Sequence, residues 1–172
     1  MTVINSNRAV RGPVTAVPLV AGKGVKITAD TVNNRYVAEV DETVLYTDDE
    51  GQPGGFTLSE SVANFEMIKI IYSPSNATSG DTTYNYGKCI AFFDGPNMAD
   101  CKKVSLTGMM PDGGVSYSLV IREKTFTLDA TGTIFTSGHS HQLYYNGSAW
   151  SRGSAQTYIY KVVGINRVQG GN

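Results

Sequence analysis

Two short runs in the last third of the chain carry the side chains that could do chemistry. Tyr144-Tyr145-Asn146-Gly147-Ser148-Ala149-Trp150-Ser151-Arg152 sets aromatic rings beside an amide, hydroxyls and a guanidinium. That set suits a sugar, whose C–H patch stacks on a ring face while its hydroxyls need directional partners. Tyr145, Asn146, Trp150 and Arg152 are the candidate contacts. A structural reading competes, because Asn146-Gly147 is a strong hairpin-turn signal; Tyr144 and Tyr145 then alternate along a strand and Trp150 is a core residue on the return strand. The second run is His139-Ser140-His141. In an extended segment both imidazoles fall on one face, and imidazole suits divalent iron or zinc. The alternative is a polar loop with two solvent-facing histidines.

Catalytic constellations are missing from the sequence. No serine lies in a G-x-S-x-G elbow. Gly22-Lys23-Gly24 lacks the rest of a phosphate-binding loop. Asp94-Gly95, Asp100, Asp112-Gly113 and Asp129 read as turn residues. The expectation is a binding or structural protein, not an enzyme.

The elements that must position these residues are strands. Val115 to Ile121, Thr125 to Leu128, Gly132 to Phe135, Gln142 to Tyr145 and Thr157 to Ile165 are β-branched and aromatic with partial period-2 alternation. Cys89-Ile90-Ala91-Phe92-Phe93 is continuously apolar and reads as a central strand, with Phe92 in the core. Phe65, Ile68, Ile70, Leu119, Ile121, Tyr160 and Val162 complete the set expected to be buried, in one sheet pair or at a subunit interface. Residues 56 to 65 read as a turn, with one helical turn capped by Ser59, leading into a strand. About eight strands and no helix of three turns predict an all-β chain, a jelly-roll-like β-sandwich.

With 172 residues and a net charge of −1, the chain lacks the basic footprint that phosphate binding needs, which argues against nucleic acid. Cys89 and Cys101 are too few for a disulfide framework and read as buried thiols. No apolar run approaches the ~20 residues of a membrane span, and the first residues carry no signal-peptide pattern. A protein made in the cytoplasm, without membrane insertion, is expected.

Residues 1–47 are apolar without helical period, and Asn33-Asn34 marks a turn between Lys26-Ile27-Thr28-Ala29 and Tyr36-Val37-Ala38-Glu39-Val40. A lone hairpin of this size is marginal in water. Its apolar face therefore needs cover, from the following domain or from copies of the same segment. Acidic, Pro/Gly-rich residues 48–55 read as a linker, and 56–172 as the β-sandwich head.

Thr57-Leu58-Ser59-Glu60-Ser61-Val62-Ala63-Asn64-Phe65 followed by an Ile/Tyr strand, with Tyr158-Ile159-Tyr160-Lys161-Val162-Val163-Gly164-Ile165 near the end, resembles the C-terminal head domains of phage and prophage tail-fibre or receptor-binding proteins. Ala21 to Ile27 and Val40 to Leu45 are similar to the connecting segments of such virion proteins. The resemblance implies a homotrimer in the virion, bound to other virion structural proteins and recognising a host-surface saccharide or protein. A structural virion component without receptor binding, such as a head fibre, collar or decoration protein, is the alternative. It also implies a metal option, since such fibre tips hold iron with an H-x-H pair from each of three copies; here His139 and His141 lie within the head instead of on a narrow shaft. A depolymerising spike of that class needs a much longer β-helix than this chain has room for.

Overall fold

Period-2 stretches of Val, Ile, Tyr, Phe and Thr make antiparallel strands whose alternate side chains meet in one core. The computed structural model describes residues 25–33, 35–74, 88–111, 119–145, 148–154 and 156–168. Eleven strands are described: β1 (Val25–Asp30), β2 (Arg35–Val40), β3 (Glu42–Gln52), β4 (Phe56–Thr57), β5 (Phe65–Ser73), β6 (Cys89–Asp94), β7 (Lys103–Pro111), β8 (Leu119–Leu128), β9 (Ile134–Tyr145), β10 (Trp150–Ser154) and β11 (Tyr158–Arg167). One short helix, α1 (Gly95–Cys101), joins β6 to β7. Among the described residues no helix is long and apolar enough to cross a membrane.

The chain is an all-β sandwich. One sheet runs β3-β11-β5-β6; the other runs β10-β9-β8-β7, with β4 paired to β9; β1 and β2 form a separate hairpin. Four consecutive strands stay in one sheet as a meander, a simpler connectivity than the alternation between sheets of a jelly roll. Leu45, Ile68, Ile70, Tyr72, Ile159 and Val162 from the first sheet meet Val104, Leu106, Phe126, Leu128 and Phe135 from the second in one buried cluster. Phe56 joins the two layers, its ring centroid 4.6 Å from that of Tyr46 on β3, stacked on Phe135 at 4.7 Å and edge-on to Phe126 at 5.6 Å.

The expected boundary falls inside a strand. Strand β3 runs through residues 48–52 and pairs with β11, with Thr47 opposite Lys161 and Gln52 opposite Ile159. Its acidic residues look like a linker in sequence because β3 is an edge strand, where polar residues can face water. The Asp48 carboxylate accepts from the backbone N–H groups of Glu50 and Gly51, and Gly51 takes a positive φ of 84°. The sandwich therefore starts at Glu42, and the hairpin Val25–Val40 is what precedes it.

Four further expectations change. Phe92 is 58% exposed. It pairs with Lys69, whereas Phe93 and Ala91 pair with the buried Ile68 and Ile70, so the inward set of β6 is Cys89, Ala91 and Phe93. An unbroken apolar run gives no phase, and the register of β5 decides it. Cys101 is exposed and Cys89 half-buried, so neither is the fully buried thiol expected. The turn before β5 is a 3-10 turn, Val62–Asn64, capped by Ser61, not Ser59. Asp94, read as a turn residue, caps α1 by accepting from Asn97 N–H at 2.8 Å. Met98 of that helix is buried in the core.

Candidate functional site

The outer face of the β10-β9-β8-β7 sheet carries most of the residues singled out in the sequence. Strand β9 is one strand of twelve residues, not two short ones separated by a loop. At its middle the ladder with β8 shifts register between Lys124 and Phe126. The Thr125 hydroxyl bridges the gap, accepting from His139 N–H at 2.8 Å and donating to the His139 carbonyl at 3.4 Å. A Cβ on Gly138 would stand 2.6 Å from Thr125 Oγ1, so glycine is what lets the bulge form.

Cross-strand partners share a face, and the registers give that face in rows. Trp150 lies opposite Tyr145. Next come Arg152, Leu143, Ile121 and Met109; then Ser154, His141, Glu123 and Thr107. The Tyr145 and Trp150 rings are 5.3 Å apart and tilted at 49°. Trp150 is 52% exposed, so on β10 it is a surface residue and not part of the core. Tyr145 is half-buried and Arg152 exposed. Three of the four predicted sugar contacts thus stand together, while Asn146 lies outside the described residues. Tyr144 falls on the other face, opposite Val120.

The sequence reasoning missed Met109, Leu143 and Glu123, and it put Ile121 in the core, whereas its register sets it half-buried on this outer face. The i, i+2 alternation within Ile121-Arg122-Glu123 and Leu143-Tyr144-Tyr145 could have placed them once one residue of the face was known. The face extends to a groove of about 470 Å³ beside the bulge, lined by Lys103, Ser105, Thr125, Thr127 and His139. From Tyr145 to His139 the strip measures roughly 20 Å at ~3.3 Å per residue. Ser105 donates to the Glu123 carboxylate at 2.7 Å and holds it over this strip.

His139 and His141 share the face, stacked with ring centroids 5.4 Å apart and planes 19° from parallel. Both are exposed. Among the described residues no group of three or more His, Cys, Asp or Glu side chains converges. Two imidazoles leave iron or zinc short of the three or four protein ligands of a typical site, so the described residues of one chain do not make one here.

Comparison with known protein families finds no matching family, and no curated protein matches the chain.

Proposed function

We propose that this chain is the receptor-binding head of a homotrimeric phage fibre or related virion protein, and that the outer face of the β7–β10 sheet meets a host-surface saccharide or protein. The observation that carries the reading is the exposed Trp150 beside Tyr145, with Arg152 in the next row of the same face. Rings give a stacking surface, and the guanidinium donates to hydroxyls or to a carboxylate. The face is open, so affinity per site is expected to be weak, and several copies raise it through avidity. The role is binding, with no bond-making step.

The trimer part of the reading is supported by the hairpin. Its registers place Val25, Ile27, Ala29, Tyr36, Ala38 and Val40 on one face, with Lys26, Thr28, Asp30, Arg35, Val37 and Glu39 on the other. Tyr36 and Val40 are 67% and 61% exposed. In a threefold arrangement three copies cover this apolar face for one another.

A structural virion component is the second reading, favoured by the apolar row of Leu143, Ile121 and Met109, of which Met109 is 69% exposed. Such a row also fits a protein neighbour. Binding of the labelled chain to a panel of bacterial cells, alongside its detection in purified particles, separates the two. Trp150→Ala is expected to reduce cell binding about tenfold with an unchanged melting temperature. A wild-type chain present in particles that binds no cell or glycan favours the structural role.

A further inference from the structure

The inner face of the β7–β10 sheet changes character along β8. Val104, Leu106, Phe126, Leu128 and Phe135 fill one part of it with apolar contact. Beyond them Lys124 takes an inward position opposite the buried Leu106, with Ser140 as its partner on β9. Lys124 is only 4% exposed. Its Nζ donates to Ser137 Oγ at 2.6 Å and lies 5.4 Å from the Phe126 ring centroid. Among the described residues no carboxylate bridges it. An ammonium has three donors; Ser137 uses one, and the charge has no counter-ion among the described residues. Withdrawing such a group from water is unfavourable, and burial pushes its pKa down.

The same side chain lines a cavity of about 480 Å³ together with Ser137, Ser140, Ser154, Gln156 and Pro53. The size is within the roughly 300–1,000 Å³ of small-molecule sites. We propose that this cavity binds an acidic sugar, its carboxylate on Lys124 and its hydroxyls on the serines and Gln156. One ammonium balances one carboxylate, whereas a phosphate dianion would be left half compensated. The neighbouring cation does not add to the charge at the wall, because Arg122 is turned to the Pro74 carbonyl at 2.6 Å and to Gln142 at 3.2 Å. A neutral sugar would leave the ammonium unpaired. Hydroxyls and an amide both donate and accept, as sugar hydroxyls do, and the Pro53 ring offers an apolar wall to the C–H surface.

Of the lining residues only Ser154 also stands on the outer face, and none is Tyr145, Trp150 or Arg152, so the two readings fail separately. The test is calorimetric titration of the full chain with glucuronate, glucose, acetate and inorganic phosphate. Glucuronate is expected to bind at least about tenfold more tightly than any of the others. Lys124→Met should lose about tenfold in glucuronate affinity and melt no lower than wild type, since it removes a buried unpaired charge. Ser140→Ala keeps the lysine and its Ser137 contact, so it remains informative if Lys124→Met does not fold; it should weaken glucuronate several-fold and leave acetate unchanged. Equal binding of glucose, acetate or phosphate, no binding of glucuronate at tens of millimolar, or undiminished binding by Ser140→Ala overturns the proposal.

Discussion

Gly164 shows how one residue sets the fit of a layer. A Cβ there would lie 2.4 Å from Cγ of the buried Phe65 ring, which the Arg167 guanidinium also covers at 4.8 Å. Gly164→Ala forces that ring to move, and a loss of about 1–3 kcal/mol, the usual result of overpacking, is expected by denaturant titration. Asp129 acts through charge. Its carboxylate accepts from the Thr131 hydroxyl and from the backbone N–H groups of Ile134 and Thr133 at 2.8 and 2.9 Å, which holds its pKa well below the usual carboxylate range. A carboxyl depressed in the folded state adds stability above its unfolded value of ~3.9 and loses it as pH falls through the folded value. The melting temperature should therefore hold down to about pH 5 and decline below about pH 4. Asp129→Asn should lower it at neutral pH and make the acid decline shallower. At this scale the sequence showed the residue types of the sugar platform but not their exposure. Trp150 can sit inside or outside a strand pair with the same neighbours in the chain, and only the partner strand decides.

Strand β6 makes the same point for an element. Its apolar run identified a strand, yet the side facing the core is fixed by pairing with β5. Ile90 and Phe92, 55% and 58% exposed, lie outside the sandwich core. Phe92→Ala should therefore change the stability of the isolated chain by no more than about 0.5 kcal/mol, as surface substitutions do. Phe126→Ala, from the centre of the aromatic cluster, should cost about 3–5 kcal/mol. Equilibrium unfolding of both variants checks the pair, and a large loss from Phe92→Ala would return that ring to the core. The β1–β2 turn was legible because Asn33-Asn34 is local turn chemistry, and the hairpin formed where expected. Strand β3 was not legible, because edge position is a property of the sheet. The bulge on β9 was hidden for a related reason, since Gly138 marks a close approach to Thr125, a residue thirteen positions away.

For the whole molecule, the sandwich has its own core, but the hairpin does not. Nothing among the described residues pairs with β1 or β2 except each other, and the turn itself is held locally: Asp30 accepts from Asn33 Nδ2 at 2.8 Å and from Arg35 Nε at 2.9 Å. Such contacts shape a turn without covering the face that carries Val25, Ile27, Tyr36 and Val40. If three copies supply that cover, association and hairpin order are one equilibrium, and mass action makes both depend on concentration. Light scattering of the full chain at micromolar concentration is expected to show a trimer, and the hairpin's protection from hydrogen exchange should rise with concentration. Replacing Ile27 and Val40 by lysine puts charge on the shared face without touching the sandwich core. The double variant should scatter as a monomer, while Phe126 and Phe135 still unfold in one cooperative transition near the wild-type midpoint. A wild-type monomer with a well-protected hairpin would mean that its own chain covers the face, and the assembly reading would fall.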